Sequence, residues 1–204
     1  MIDRITTAQP QAASRTLQLL ALASISGTTL FIVAYTIAQI QRSDLDAQHH
    51  FVSELLIGSA GPIMAFGFFA SAIGSACVIA GLARRLPLDI VTVLGFLGLA
   101  GWSIGGFIAG AFPPTPQLNQ IHVTAATAAF GGLPIAALVL SLRLLGLERW
   151  RAFARPALAW AVVVIVMVIG GWSILSRAFG EHLIVAVDLI WMYVIAVGLL
   201  RHAD

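Results

Sequence analysis

Lysine is absent from this chain of 204 residues, and cysteine occurs once, at Cys77. Charge of either sign is scarce, with 10% of residues charged against 59% hydrophobic. Each shortage excludes a class. A soluble domain carries about 25% charged residues, and a disordered chain needs low hydrophobicity; neither fits a mean hydropathy of +0.96. A lone cysteine closes no internal disulfide, and Cys77, inside an apolar run, reads as a small core residue. The formal charge of +2 reflects a few arginines and is no nucleic-acid footprint. There is no phosphate-cradling glycine loop, no CxxC pair and no His-Glu-x-x-His run, and no strand-to-helix nucleophile elbow is expected. No cofactor is required by anything in the sequence.

What the chain has instead is length of apolar run. Six stretches, at about 17–40, 53–83, 90–112, 121–145, 157–179 and 183–200, are each long enough to cross a bilayer as a helix. The expected fold is all-α: a single polytopic bundle of six transmembrane helices over 16–201, with polar tails at 1–15 and 202–204. The first run is longer than a signal-peptide core and lacks a small-residue cleavage site, so it is read as a span. Gly61-Pro62 is expected to bend the second span near its start. Gly67, Gly74 and Gly81 recur every seven residues along that span, with Ala60 one step earlier, as a close-packing stripe. The third span holds Gly95, Gly98, Gly101, Gly105, Gly106 and Gly110 and is expected to be the central, most tightly packed helix. Phe112-Pro113-Pro114-Thr115-Pro116 cannot continue it and forces an extended turn. The fourth span offers Ala125, Ala126, Ala129 and Gly132 as a second close-packing face. Spans five and six are expected to join through Gly180-Glu181-His182.

Arginine counting orients the bundle. Arg4, Arg15, Arg84, Arg85, Arg143, Arg149, Arg151, Arg155 and Arg201 fall at one end of a six-span chain, and only Arg42 and Arg177 at the other. That bias predicts cytoplasmic termini. Trp150, in the arginine-rich loop 143–155, reads as an interfacial anchor, and that loop suits anionic lipid headgroups. Trp102, Trp172 and Trp191 read as packing or interface residues, with Trp102 also a candidate lining residue for a ligand.

The remaining ionisable residues sort by end. Asp3, Asp89, Glu148, His202 and Asp204 lie among the arginines. Asp44, Asp46, His49, His50, Glu54, His122, Glu181 and His182 gather at the opposite, non-cytoplasmic end, and Asp188 lies deeper in the last span, where an acid is expensive. On a continuous helix His50 and Glu54 share a face, and Glu181 and Asp188 stand almost in register. A polar pocket is therefore expected there. Glu54, Asp188, His122 and His50 are its catalytic candidates, and Glu181, His182, Asn119 and Trp102 its substrate-binding ones; Gln120 adds a further amide. Gly101-Trp102-Ser103-Ile104 recurs as Gly171-Trp172-Ser173-Ile174, and each hairpin returns through a histidine, His50, His122 or His182, as three repeated hairpins would.

Three readings of this group stand side by side. Imidazoles and carboxylates can hold a transition metal, with His50, His122 and His182 as ligands. Glu54, Asp188 and a histidine can do acid–base work, as in an isomerase or cyclase of an isoprenoid-like substrate. Or the same residues cap helices and bind loops, as Glu54 and Glu181 near helix N-termini would. The expected function is binding or transforming a lipid or other amphipathic small molecule, with membrane lipids as the surround. A non-enzymatic scaffold or transporter-like component is the alternative, and the single deep acid weighs against transport.

Ser53-Glu54-Leu55, Gly67-Phe68-Phe69, Gly110-Ala111-Phe112-Pro113 and Ile121-His122, followed by Gly180-Glu181-His182-Leu183 and Leu189-Ile190-Trp191, resemble the bacterial and archaeal family of domain of unknown function 998. The resemblance spans about residues 20–200. It implies six helices, a prokaryotic plasma membrane and an importance for Glu54 and His122, and it supplies no reaction. Two departures stand out: Pro114-Thr115-Pro116 where the family commonly has an aspartate, and His182 where it often has arginine.

Overall fold

The computed structural model describes residues 8–202, and side chains for 14–170 and 175–202. Asp3, Arg4 and Asp204, and the side chains of Gly171-Trp172-Ser173-Ile174, lie outside the described residues. Six helices cross the bundle: α1 Ala8–Gln41, α2 Gly61–Ala83, α3 Ile90–Ala111, α4 Asn119–Leu145, α5 Arg151–Ile174 and α6 Arg177–Arg201. Each carries a stretch long and apolar enough to span a membrane, and there is no strand among the described residues. The helices pack in sequence order as a ring, α6 returning against α1 and also touching α2.

Glycines set the tightest seams. A methyl group on Gly101 would sit 2.9 Å from the Ala128 carbonyl oxygen, and one on Gly105 would sit 3.0 Å from the Ala129 backbone nitrogen. These two positions let α3 lie directly on the Ala125–Gly132 face of α4. Gly67 and Gly74 do the same for α2 against α1, where they meet Ala34 and Ser24, while Gly81 abuts Leu199 of α6. The neighbouring Gly106 belongs to no such seam, since a side chain there meets nothing within 4 Å.

Centrality falls to α6 and not to glycine-rich α3. In α6 61% of the most apolar stretch is buried, and in α3 33%, because α3 turns Leu94, Leu97, Ile104 and Phe107 outward to lipid. Trp191 of α6 is fully buried, its Nε1 donating to Ser141 Oγ at 3.0 Å. Trp150 is also fully buried. It is no interfacial anchor: its ring lies against Gly198 and, at 4.6 Å between centroids, against His202. The loop expected around it shrinks to Gly146, Leu147 and a short 3-10 turn, Glu148–Trp150, because α5 starts at once with Arg151.

Two other boundaries differ from expectation. The second apolar run is not one helix from 53. Val52–Leu56 forms a separate 3-10 turn, Gly58 takes a positive φ of 85° that favours glycine, and α2 starts only at Gly61 with Pro62 in its first turn. Proline suits that position, where its missing N–H goes unused, and it disfavours helix just before it. Likewise α6 begins at Arg177, capped by Ser176 Oγ accepting from the Phe179 N–H at 3.2 Å. Gly180, Glu181 and His182 are therefore inside the helix and form no loop.

Candidate functional site

The bundle is filled unevenly along its length. In its arginine-rich half one core joins Leu17, Leu82, Leu133, Leu140, Trp150 and Ile195. A second, smaller core holds Phe31, Leu55, Met64 and Leu189 between α1, α2, α6 and the 3-10 turn. Between α2, α3, α4 and α6, at the arginine-poor end, a cavity of about 960 Å³ remains. Its deep wall is apolar: Phe68, Trp102, Phe130 and Val185 among others. Phe130, on the deep wall, is eleven residues into α4, so the cavity reaches roughly 16 Å along the helices, about half of a ~30 Å hydrocarbon core.

The polar residues lie at the mouth. Glu54, Ser53, Asn119, His122, Glu181 and Arg177 all line the cavity there. Glu54 caps its own turn, accepting from the Phe51 N–H at 3.1 Å, while Val52, Leu55 and Leu56 anchor the turn in the second core. The Glu181 carboxyl is held by backbone N–H groups of Val52 and Ser53, near enough to Glu54 to feel its charge. His122 is 4% exposed. Its Nδ1 faces the Phe112 and Ala109 carbonyl oxygens at 2.9 and 3.2 Å, and because carbonyls only accept, Nδ1 carries the proton. In the neutral ring Nε2 is then an acceptor, and it makes no hydrogen bond among the described residues.

The roof is the segment from Arg42 to Gly58. Arg42 donates to Asp44 through Nε and Nη2, at 3.0 and 2.9 Å, and to the Ile57 carbonyl oxygen through Nη1 at 2.7 Å. Gln39 donates to the Leu45 carbonyl oxygen, and Ser176 to that of Gln48. The Arg42 hydrogen bond holds the Asp44 carboxyl below the usual carboxylate range, and the His49 hydrogen bond does so for Asp46.

Several residues singled out from the sequence lie elsewhere. His50 and Glu54 do not share an α-helical face, because residue 50 is in a turn, Phe51 is extended and Glu54 sits in the 3-10 turn. His182 is off the cavity: Nε2 donates to the His50 carbonyl oxygen at 3.0 Å and Nδ1 faces the Tyr35 hydroxyl at 2.9 Å. It ties roof, α1 and α6 together. His49 pairs with Asp46 at 2.8 Å in solvent. Asp188 is fully buried, has no partner on either carboxyl oxygen and is not part of the cavity wall. Among the described residues no three His, Cys, Asp or Glu side chains converge in a way that could hold a metal ion. Ser103, whose neighbours Gly101-Trp102-Ser103-Ile104-Gly105 match the letters of a nucleophile elbow, is in mid-helix and donates to the Ala72 carbonyl oxygen at 2.7 Å.

Arg177 and Gly106 are the cavity residues that sequence reasoning passed over. Arg177 was counted only as a topology charge. Gly106 was grouped with Gly110 as a packing pair, although only Gly110 touches a neighbour, the Phe68 side chain of α2. A helical wheel carries the missing signal: Trp102, Gly106 and Ala109 share one face of α3.

Six apolar helices in ring order, with a capped cavity at one end, make this a multi-pass membrane protein. The family model described as Protein of unknown function (DUF998) matches residues 25–199, and the chain belongs to that family. No curated protein and no solved structure matches it.

Proposed function

We propose that the cavity is a binding site for an amphipathic small molecule, with the head at the Glu54–Glu181–His122 mouth and the apolar body along Trp102, Phe130 and Phe68. One observation carries this: a chamber of about 960 Å³ is apolar at depth and lined by acids and an imidazole only at its mouth. A ligand site is commonly an apolar concavity with a few convergent polar groups. With the positive-inside orientation, the mouth faces the non-cytoplasmic side.

The access route is sideways, from lipid. The buried side chains described for α5 stop at Val164: Ala154, Ala157 and Ala161 close its seam with α4, and beyond Val164 none is buried. Opposite that stretch Val123, Thr127 and Gly131 of α4 are exposed yet line the cavity. A ligand resident in the bilayer needs no aqueous passage to enter there.

The test is the amphiphile retained by the purified protein, read by native mass spectrometry from mild detergent. Wild type is expected to carry a bound amphiphile. Gly106→Leu fills open space on the α3 wall and is expected to fold normally and lose most of it. Equal occupancy in a folded Gly106→Leu protein overturns the proposal.

A further inference from the structure

Every polar group fixed at the inner side of the mouth is a hydrogen-bond acceptor. The Glu54 carboxylate lines the cavity while anchored by the Phe51 N–H. The Glu181 carboxylate lines it while anchored by the N–H groups of the 3-10 turn. His122, 4% exposed, spends its one N–H on the Ala109 and Phe112 carbonyl oxygens. Its buried ring therefore offers the cavity a lone pair on Nε2, which has no protein partner. Three acceptors, two of them acids, call for a ligand rich in N–H donors and positive charge.

Arg177 adds the complementary group. It lines the same cavity at the exposed rim and makes no hydrogen bond or ion pair among the described residues. It lies four residues before Glu181 on α6, so the two are one turn apart, about 6 Å along the axis. A guanidinium free to take a phosphate, one turn outside an acceptor site for an ammonium, matches a zwitterion whose two charges are joined by a two-carbon link.

We propose that the ligand is an aminophospholipid of the ethanolamine type. Its primary ammonium lies among Glu54, Glu181 and His122, its phosphate lies on Arg177, and its chains enter through the opening beside α4. This rests on the amphiphile-binding reading above and adds the head group. No bond is made or broken.

The head group separates from the cavity in one experiment. The full-length protein is placed in nanodiscs containing equal parts of phosphatidylethanolamine, phosphatidylcholine and phosphatidylglycerol of identical chains, and retained lipid is read by native mass spectrometry. Ethanolamine lipid is expected to be retained at least about tenfold over the other two, the effect of one charge-assisted hydrogen bond. Phosphatidylcholine is the sharper control, because its ammonium has charge but no N–H. Glu181→Gln, and independently Glu54→Gln, should pull the ratio toward one. Arg177→Gln should lower ethanolamine-lipid retention while leaving competition by dodecylamine unchanged. Indifference to head group in wild type, or an unchanged ratio in both folded glutamine variants, overturns the proposal. Dodecylamine binding with no effect of Arg177→Gln overturns the phospholipid assignment in favour of a simple amine. Gly106→Leu tells the two readings apart: loss of all three lipids with no head-group preference in wild type removes this inference and keeps the cavity.

Discussion

Glu181 and Asp188 stand seven residues apart on one helix, and their surroundings separate them. Glu181 is held by backbone N–H groups and opens on the cavity, whereas Asp188 is fully buried with both oxygens unpartnered. A buried polar group without a partner costs about 1–3 kcal/mol. Asp188→Leu is therefore expected to raise thermal stability in detergent by roughly that amount and to leave amphiphile retention unchanged. A loss of binding in that variant would extend the site to the bundle interior. His182 is the converse case, a histidine with both nitrogens occupied. His182→Ala removes two tertiary hydrogen bonds, at ~1 kcal/mol each, and is expected to lower the melting temperature and loosen the roof. Hydrogen exchange over residues 42–58 checks this.

Along the elements, two adjacent glycines give opposite expectations. A side chain on Gly105 runs into the α4 backbone, and one on Gly106 enters the cavity. Gly105→Leu should destabilise by about 1–3 kcal/mol or more through overpacking, and Gly106→Leu should fold. Thermal unfolding of the pair in the same detergent decides it. The roof carries the pH dependence. Asp44 and Asp46 have folded-state pKa values below their ordinary ones, so their contribution is complete above the ordinary carboxylate value of about 4 and lost as pH falls through the lowered values. Protection factors over 42–58 should stay level at neutral pH and drop in acid below about pH 4. The sequence made the α3 and α4 boundaries legible, because prolines and an aspartate cap bracket them, the Asp89 carboxylate accepting from the Thr92 N–H. It hid the break at 57–60, because Val52, Leu55 and Leu56 are as apolar as the helix that follows, and only tertiary burial turns them into a separate turn. Glu54, Glu181, His122 and Asn119 were legible as a group because helix ends at one side of a membrane must meet. The identity of a lining glycine was not, since periodicity alone does not tell a packed small residue from an empty space.

For the whole molecule, the nine-to-two arginine split matches the way the helices end. Arg84, Arg85, Arg143, Arg149 and Arg201 lie at one end of the ring and Arg42 and Arg177 at the other. The end expected to face the cytoplasm is solid. Its core closes around Trp150, and burial beside Arg149 and Arg85 keeps the His202 imidazole below its ordinary value. The opposite end is hollow under a stitched roof and thin on its α4–α5 side. A bundle sealed at one end and open at the other suits capture of a molecule from one leaflet better than passage across both. The most direct measurement is the density inside the cavity of the protein solved in a native-lipid nanodisc. Elongated density running from Glu54 and Glu181 to Trp102 and Phe130 is expected. A cavity closed by inward movement of Phe130 and Val168, with no such density, would contradict a ligand site at this end of the bundle.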